Sequence, residues 1–82
     1  MAEAVERYVL ERARMKRNII ISRLAIAVAA YRCMGLPKEE YVRCVREEIH
    51  KVKREIAENV DKMIKEGNVK ALKTLMEAAG IY

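Results

Sequence analysis

The chain has 82 residues, of which 35% are charged, and its formal net charge is +5. A chain of this length is expected to form a single domain (residues 1–82), with a core so small that a disulfide, a metal or a partner subunit often has to stabilise it. Its three glycines are isolated, Ser22 and Thr74 are its only Ser and Thr, and Asp61 is its only Asp. The chain therefore lacks a glycine-rich phosphate loop and the usual nucleophile arrangements. We expect a non-enzymatic protein with no cofactor and no small-molecule substrate.

The choice of polar residues points to a source. Gln is absent, and uncharged polar side chains are largely replaced by Lys, Arg and Glu. This bias is typical of hyperthermophile proteins, although the same residues also favour helix in any source. The composition predicts a hyperthermophilic archaeon or one of its viruses, and a place in the cytoplasm or in a virion.

The first 34 residues predict one long helix. No Gly or Pro interrupts residues 2–34, and the early apolar residues recur at helical spacing. Gly35 supplies a stop, since glycine adopts the left-handed conformation at little cost. Pro37 then suits the first turn of a second helix, where its missing N–H is no loss.

The second helix is expected over about residues 37–66, where the apolar residues step by three and four positions. Such a heptad seam favours coiled-coil packing against another helix. The seam consists of Val42, Val45, Ile49, Val52, Ile56, Asn59 and Met63. Gly67 and Asn68 predict a stop and a new N-cap. The predicted fold is all-α: a long antiparallel helical hairpin (about 2–34 and 37–66) plus a short C-terminal helix (about 68–79).

Residues 19–34 predict self-association. Their side chains are apolar almost all round the helix, and a single partner helix cannot cover every side. We therefore expect a homodimer or a larger oligomer. The expected contact residues are Ile19, Ile20, Leu24, Ile26, Ala27, Val28 and Tyr31. A membrane span is the alternative, but the run is shorter than about 20 residues and contains Arg23, so we expect no membrane partner.

Glu47 and His50 form a Glu-x-x-His pair on one helical face. Helical di-metal sites use this pair together with Glu residues from facing helices. No acidic residue lies between Glu11 and Glu39, so the facing segment offers none. We expect no metal, and we interpret His50 as a solvated side chain beside a contact between Glu47 and Arg23.

Cys33 and Cys44 flank the predicted turn. A disulfide between them is feasible across a tight hairpin. Intracellular disulfides are rare outside hyperthermophiles, which are the expected source. The alternative is two buried free thiols that act as small apolar residues.

Positive charge is concentrated in the first helix. Residues 1–37 hold seven basic and three acidic residues, whereas residues 38–66 hold eight of each. The predicted nucleic-acid contacts are Arg12, Arg14, Lys16, Arg17 and Arg23. A basic helix can lie along phosphates without reading bases, which gives sequence-tolerant and salt-sensitive binding. The alternative is a solvated face, or ion pairing with Glu residues of the second helix.

Residues 15–52 also resemble the ribbon-helix-helix family of dimeric DNA-binding regulators. Residues 15–21 would be the strand, and helices before and after Gly35 would follow. The resemblance implies an antiparallel two-stranded ribbon in the major groove, in which Lys16 and Asn18 contact base edges. The departure from the family pattern is that apolar and polar residues do not alternate along this stretch.

Three hypotheses follow from the sequence. The first is a nucleoprotein-like or capsid-like structural protein that coats nucleic acid through its first helix. The second is the ribbon-helix-helix regulator, and the third is a protein–protein interaction subunit with no nucleic-acid role. Sequence selectivity separates the first two, because a regulator discriminates its site by about a thousandfold or more.

Overall fold

A computed structural model describes residues 2–81, which form four helices joined by short connections. The helices are α1 (Ala2–Met15), α2 (Arg17–Arg32), α3 (Lys38–Glu66) and α4 (Val69–Ala78). The fold is all-α, as the sequence predicts, and the described residues contain no strand. Within this part of the chain, no helix combines the length and apolar character needed to cross a membrane.

The prediction of one unbroken helix over residues 2–34 is wrong, because the chain bends at Lys16. The Lys16 N–H donates to the Arg12 carbonyl and the Ile20 N–H to the Lys16 carbonyl, both at 2.9 Å, so helical hydrogen bonding continues through the bend. No Pro or Gly stands at this point, so the usual local causes of a kink do not apply. The interruption falls where the packing partner changes: α1 packs mainly on α4, whereas α2 packs mainly on α3.

Helices α2 and α3 form the hairpin and meet along rows of residues four apart. The buried row of α2 is Ile21, Ala25, Ala29 and Cys33. On α3, Val52 and Val60 are buried at twice this spacing. Rows with a four-residue step are the ridges of the commonest helix-packing class in globular proteins. The predicted heptad seam is only partly used, because Val42 is 42% exposed and Asn59 also faces solvent.

A disulfide closes the hairpin at its turn. Cys33 is bonded to Cys44, their Cα atoms lie 5.9 Å apart, and the bridge spans a sequence separation of 11 residues. The neighbouring core on α2 consists of Ala25 and Ala29, which bury little apolar area each. The covalent bridge therefore supplies stability that these small side chains cannot.

The main core lies at the other end, where α1, the start of α2, α4 and the second half of α3 meet. Its fully buried members are Ala13, Ile20, Val60 and Leu72. Gly67 ends α3 in the left-handed conformation with φ of +68°. The Asn68 side chain then accepts a hydrogen bond from the Ala71 N–H at 3.2 Å. These contacts confirm the predicted stop and N-cap.

The molecule is slender and leaves much of its surface uncovered. It extends 51 × 20 × 16 Å with a radius of gyration of 14.5 Å, against about 12 Å for a compact chain of this length. Its accessible surface is 6264 Å², about a quarter more than the roughly 5,000 Å² expected for a monomer of its mass.

We predict that removing the disulfide destabilises the protein by about 2–3 kcal/mol, because closing a loop of this length restricts the unfolded chain. The measurement is the urea-unfolding midpoint of the wild type with and without a thiol reductant. A Cys33→Ala/Cys44→Ala variant is the control, and its unfolding midpoint should be the same with and without the reductant. An unchanged wild-type midpoint in reductant would contradict the stabilising role.

Candidate nucleic-acid interface

The five basic residues that the sequence assigns to nucleic acid lie on α1, α2 and the bend between them, but they do not form one open surface. Arg14 and Arg23 are exposed, whereas Arg12, Lys16 and Arg17 are partly buried. Arg12 lines a groove of about 230 Å³ between α1 and α4. Arg12, Arg17 and Arg23 all make contacts within the chain, which leaves them less available to a phosphate.

Arg17 is held by Asp61 of α3. Its guanidinium donates from Nε to Oδ1 and from Nη2 to Oδ2, the second bond at 2.8 Å. This two-point geometry is the strong form of an Arg–carboxylate contact. The hydrogen bond lowers the pKa of Asp61 and raises the pKa of Arg17. Both side chains also reach solvent, so the stabilisation is modest, but the charge of Arg17 is already balanced.

Arg23 contacts the end of α4. Its Nη1 donates to the backbone carbonyl of Ala79 at 2.9 Å. The last carbonyls of a helix lack partners within the helix, and a cation there is favourable. The predicted contact between Glu47 and Arg23 is therefore wrong. Helix α4 packs against α2, and a carbonyl at its C-terminal end accepts the hydrogen bond from this guanidinium.

A basic surface that the sequence reasoning missed lies on α3. Its members are the exposed residues Arg43, Arg46, Lys53 and Arg54, here called the α3 stripe. None of them makes an ion pair within residues 2–81. The net charge of residues 38–66 is zero, so a sum of charge over this segment does not reveal the stripe. The signal that reveals it is spacing, since residues three and four apart share a helix face.

Contacts between helices redistribute the charge. Asp61 balances Arg17, and Glu48 accepts from Arg32 at 3.3 Å while also lying 3.8 Å from Lys51. Two acids of α3 therefore balance cations of α2. Part of the positive excess of residues 1–37 is therefore neutralised by acids of α3. The cations of α3 in turn have fewer acidic partners on their own helix.

The predicted oligomer contacts divide into three groups. Ile19, Ile26 and Tyr31 are 40%, 53% and 75% exposed, and Ala27 is exposed as well. Leu24 and Val28 are partly buried and line a groove of about 210 Å³ between α2, α3 and α4. The remaining walls of this groove are Ile56, Asn59, Val60, Met63 and Leu75. Ile20 cannot contribute to an oligomer contact as predicted, because it is completely buried in the core of its own chain.

The structure also bears on the ribbon-helix-helix resemblance and on the Glu-x-x-His pair. Residues 17–21, which the ribbon-helix-helix resemblance assigns to a strand, are helical, so the described chain does not form the ribbon. Glu47 and His50 are both exposed on α3, and no group of three or more metal-ligating side chains comes together among the described residues. No family model, curated protein or solved structure matches the chain.

We predict that Asp61→Asn destabilises the protein at neutral pH but not in strong acid. The Arg17 contact lowers the pKa of Asp61 in the folded state. Its contribution to stability is therefore present above the unfolded pKa of about 4 and is lost as the pH falls through the folded value. The measurement is the unfolding midpoint of both proteins across this range. Glu58→Gln, an exposed acid on the same helix, is the control and should leave the midpoint unchanged at neutral pH.

Proposed function

We propose that the protein is a non-enzymatic, self-associating helical protein that coats nucleic acid without reading its sequence. The observation that carries the proposal is the apolar surface that a single chain leaves uncovered on the α2–α3 hairpin. Soluble monomers rarely expose large contiguous apolar areas, and such areas mark contact sites. Self-association along the hairpin would cover this surface.

The elongated chain has room for a partner along its length. Its total accessible surface, polar and apolar together, exceeds that of a typical monomer by about 1,200 Å², and a standard protein interface buries roughly 800 Å² on each partner. Tyr31, Ile26 and the groove beside Leu24 and Val28 supply the apolar anchors. The hairpin turn adds Met34 and Leu36, which are 70% and 43% exposed.

Charge supports nucleic acid as the second partner. The net charge of +5 gives a chain of 82 residues a strong attraction for polyanions. The exposed cations lie on rigid helices, so little ordering is needed when they meet phosphates. The disulfide and the charged composition agree with the expected hyperthermophilic source, in a cell or a virion. A protein–protein subunit remains the second candidate, because the same apolar groove would suit a different chain.

Self-association predicts a dimer or larger species at micromolar concentration, measured by light scattering after size-exclusion chromatography. Ile26→Glu and Tyr31→Glu should shift the protein toward monomer, because each places a charge in the apolar contact. Val5→Glu is the matched control, since Val5 is 63% exposed but lies on α1. A wild type that stays monomeric at every accessible concentration would overturn the self-association proposal.

Coating predicts binding that depends on salt and not on sequence. Fluorescence anisotropy against two unrelated duplex DNAs should give micromolar or tighter binding at low salt, which weakens steeply as salt is raised. The two affinities should agree within about tenfold, whereas a sequence-reading protein separates them by about a thousandfold or more. No binding at low salt would remove nucleic acid from the proposal and favour the protein–protein subunit.

A further inference from the structure

We infer that the phosphate-binding surface is the α3 stripe of Arg43, Arg46, Lys53 and Arg54, and that the ligand is a nucleic-acid backbone. The inference rests on the proposed function and names its site. The expected phosphate contact therefore lies on α3 and not on the first helix. Helix packing engages cations of the first helix in contacts within the chain, whereas it leaves the cations of the stripe accessible.

The geometry of the stripe fits a run of phosphates. The steps from Arg43 to Arg46, and across His50 to Lys53 and Arg54, are three or four residues each, so the side chains lie along one face. The stripe spans roughly 16 Å at 1.5 Å per residue. Phosphates of one DNA strand follow each other about every 3.4 Å along the duplex axis, so four cations over this distance can meet one strand together.

The cations of the stripe are not engaged by the acids around them. Within the described residues Glu48 is engaged with Arg32 and Asp61 with Arg17. Glu39, Glu40 and Glu47 lie three or four residues from Arg43, and Glu58 lies four residues from Arg54, but within residues 2–81 none of them forms an ion pair with the stripe. Three of the four cations are Arg, whose planar guanidinium suits two-point contact with phosphate.

The first helix offers a weaker phosphate-binding surface than the stripe, because two of its cations are already bound within the chain. Arg17 and Arg23 are held by Asp61 and by the Ala79 carbonyl. Arg14 is exposed and forms no ion pair within residues 2–81, so this one residue is as accessible as the cations of the stripe. Recruiting Arg17 or Arg23 to a phosphate would break a contact that the folded chain already makes, whereas the stripe binds without such a loss.

The test compares three double variants that each remove two positive charges from exposed or partly exposed positions. Arg46→Gln/Lys53→Gln alters the stripe, Lys62→Gln/Lys65→Gln alters the C-terminal end of α3 beyond the stripe, and Arg14→Gln/Lys16→Gln alters the first helix and the bend. Each is titrated by anisotropy against random-sequence duplex DNA at several salt concentrations. Circular dichroism and the unfolding midpoint confirm that each variant is folded.

The stripe variant should flatten the dependence of log affinity on log salt by roughly 2 per protomer, since each phosphate contact contributes about 0.9. The other two variants should change it by less than half as much. Equal flattening by all three variants, or flattening by the Arg14/Lys16 variant alone, overturns the stripe while coating stands. If the wild type itself does not bind, the stripe and the coating function fail together.

Discussion

The packing of α2 on α3 is the contact on which the rest of the molecule depends. Small side chains at Ala25 and Ala29 bring the two helices together, with Val52 opposite them in the core. The disulfide holds this contact at the turn, and the Arg17–Asp61 pair holds it at the far end. Because α2 is committed to α3, the chain has to bend at Lys16 for α1 to reach α4.

This arrangement has a consequence for the surface. A helix that is apolar on most sides is covered by one neighbour along only one row, so Ile26 and Tyr31 remain exposed. The hairpin is therefore one part of the fold where a single chain leaves apolar side chains exposed. Within residues 2–81 no third helix runs along the whole hairpin, and the self-association that we propose would cover the side that is left open.

The same packing decides which charges are accessible. Helix propensity and net charge are properties of the chain, but an ion pair needs two side chains from different elements at contact distance. Asp61 and Glu48 were counted against the cations of their own segment, yet they balance Arg17 and Arg32 of the neighbouring helix. The set of accessible cations therefore depends on the three-dimensional neighbours of each charge and differs from the set that sums over sequence segments indicate.

The sequence by itself determined the all-α class, the ends of α3 and the start of α4, because Gly67, Asn68 and Pro37 act through their own backbone conformation and nearest hydrogen bonds. The hydrophobic pattern and the cysteine spacing also anticipated a hairpin in which a disulfide was feasible. Tertiary structure alone decided the bend at Lys16, the burial of Ile20 and the partner of Arg23, because each depends on where α4 packs. Helix ends are encoded within a few residues, whereas contacts between helices depend on residues tens of positions apart.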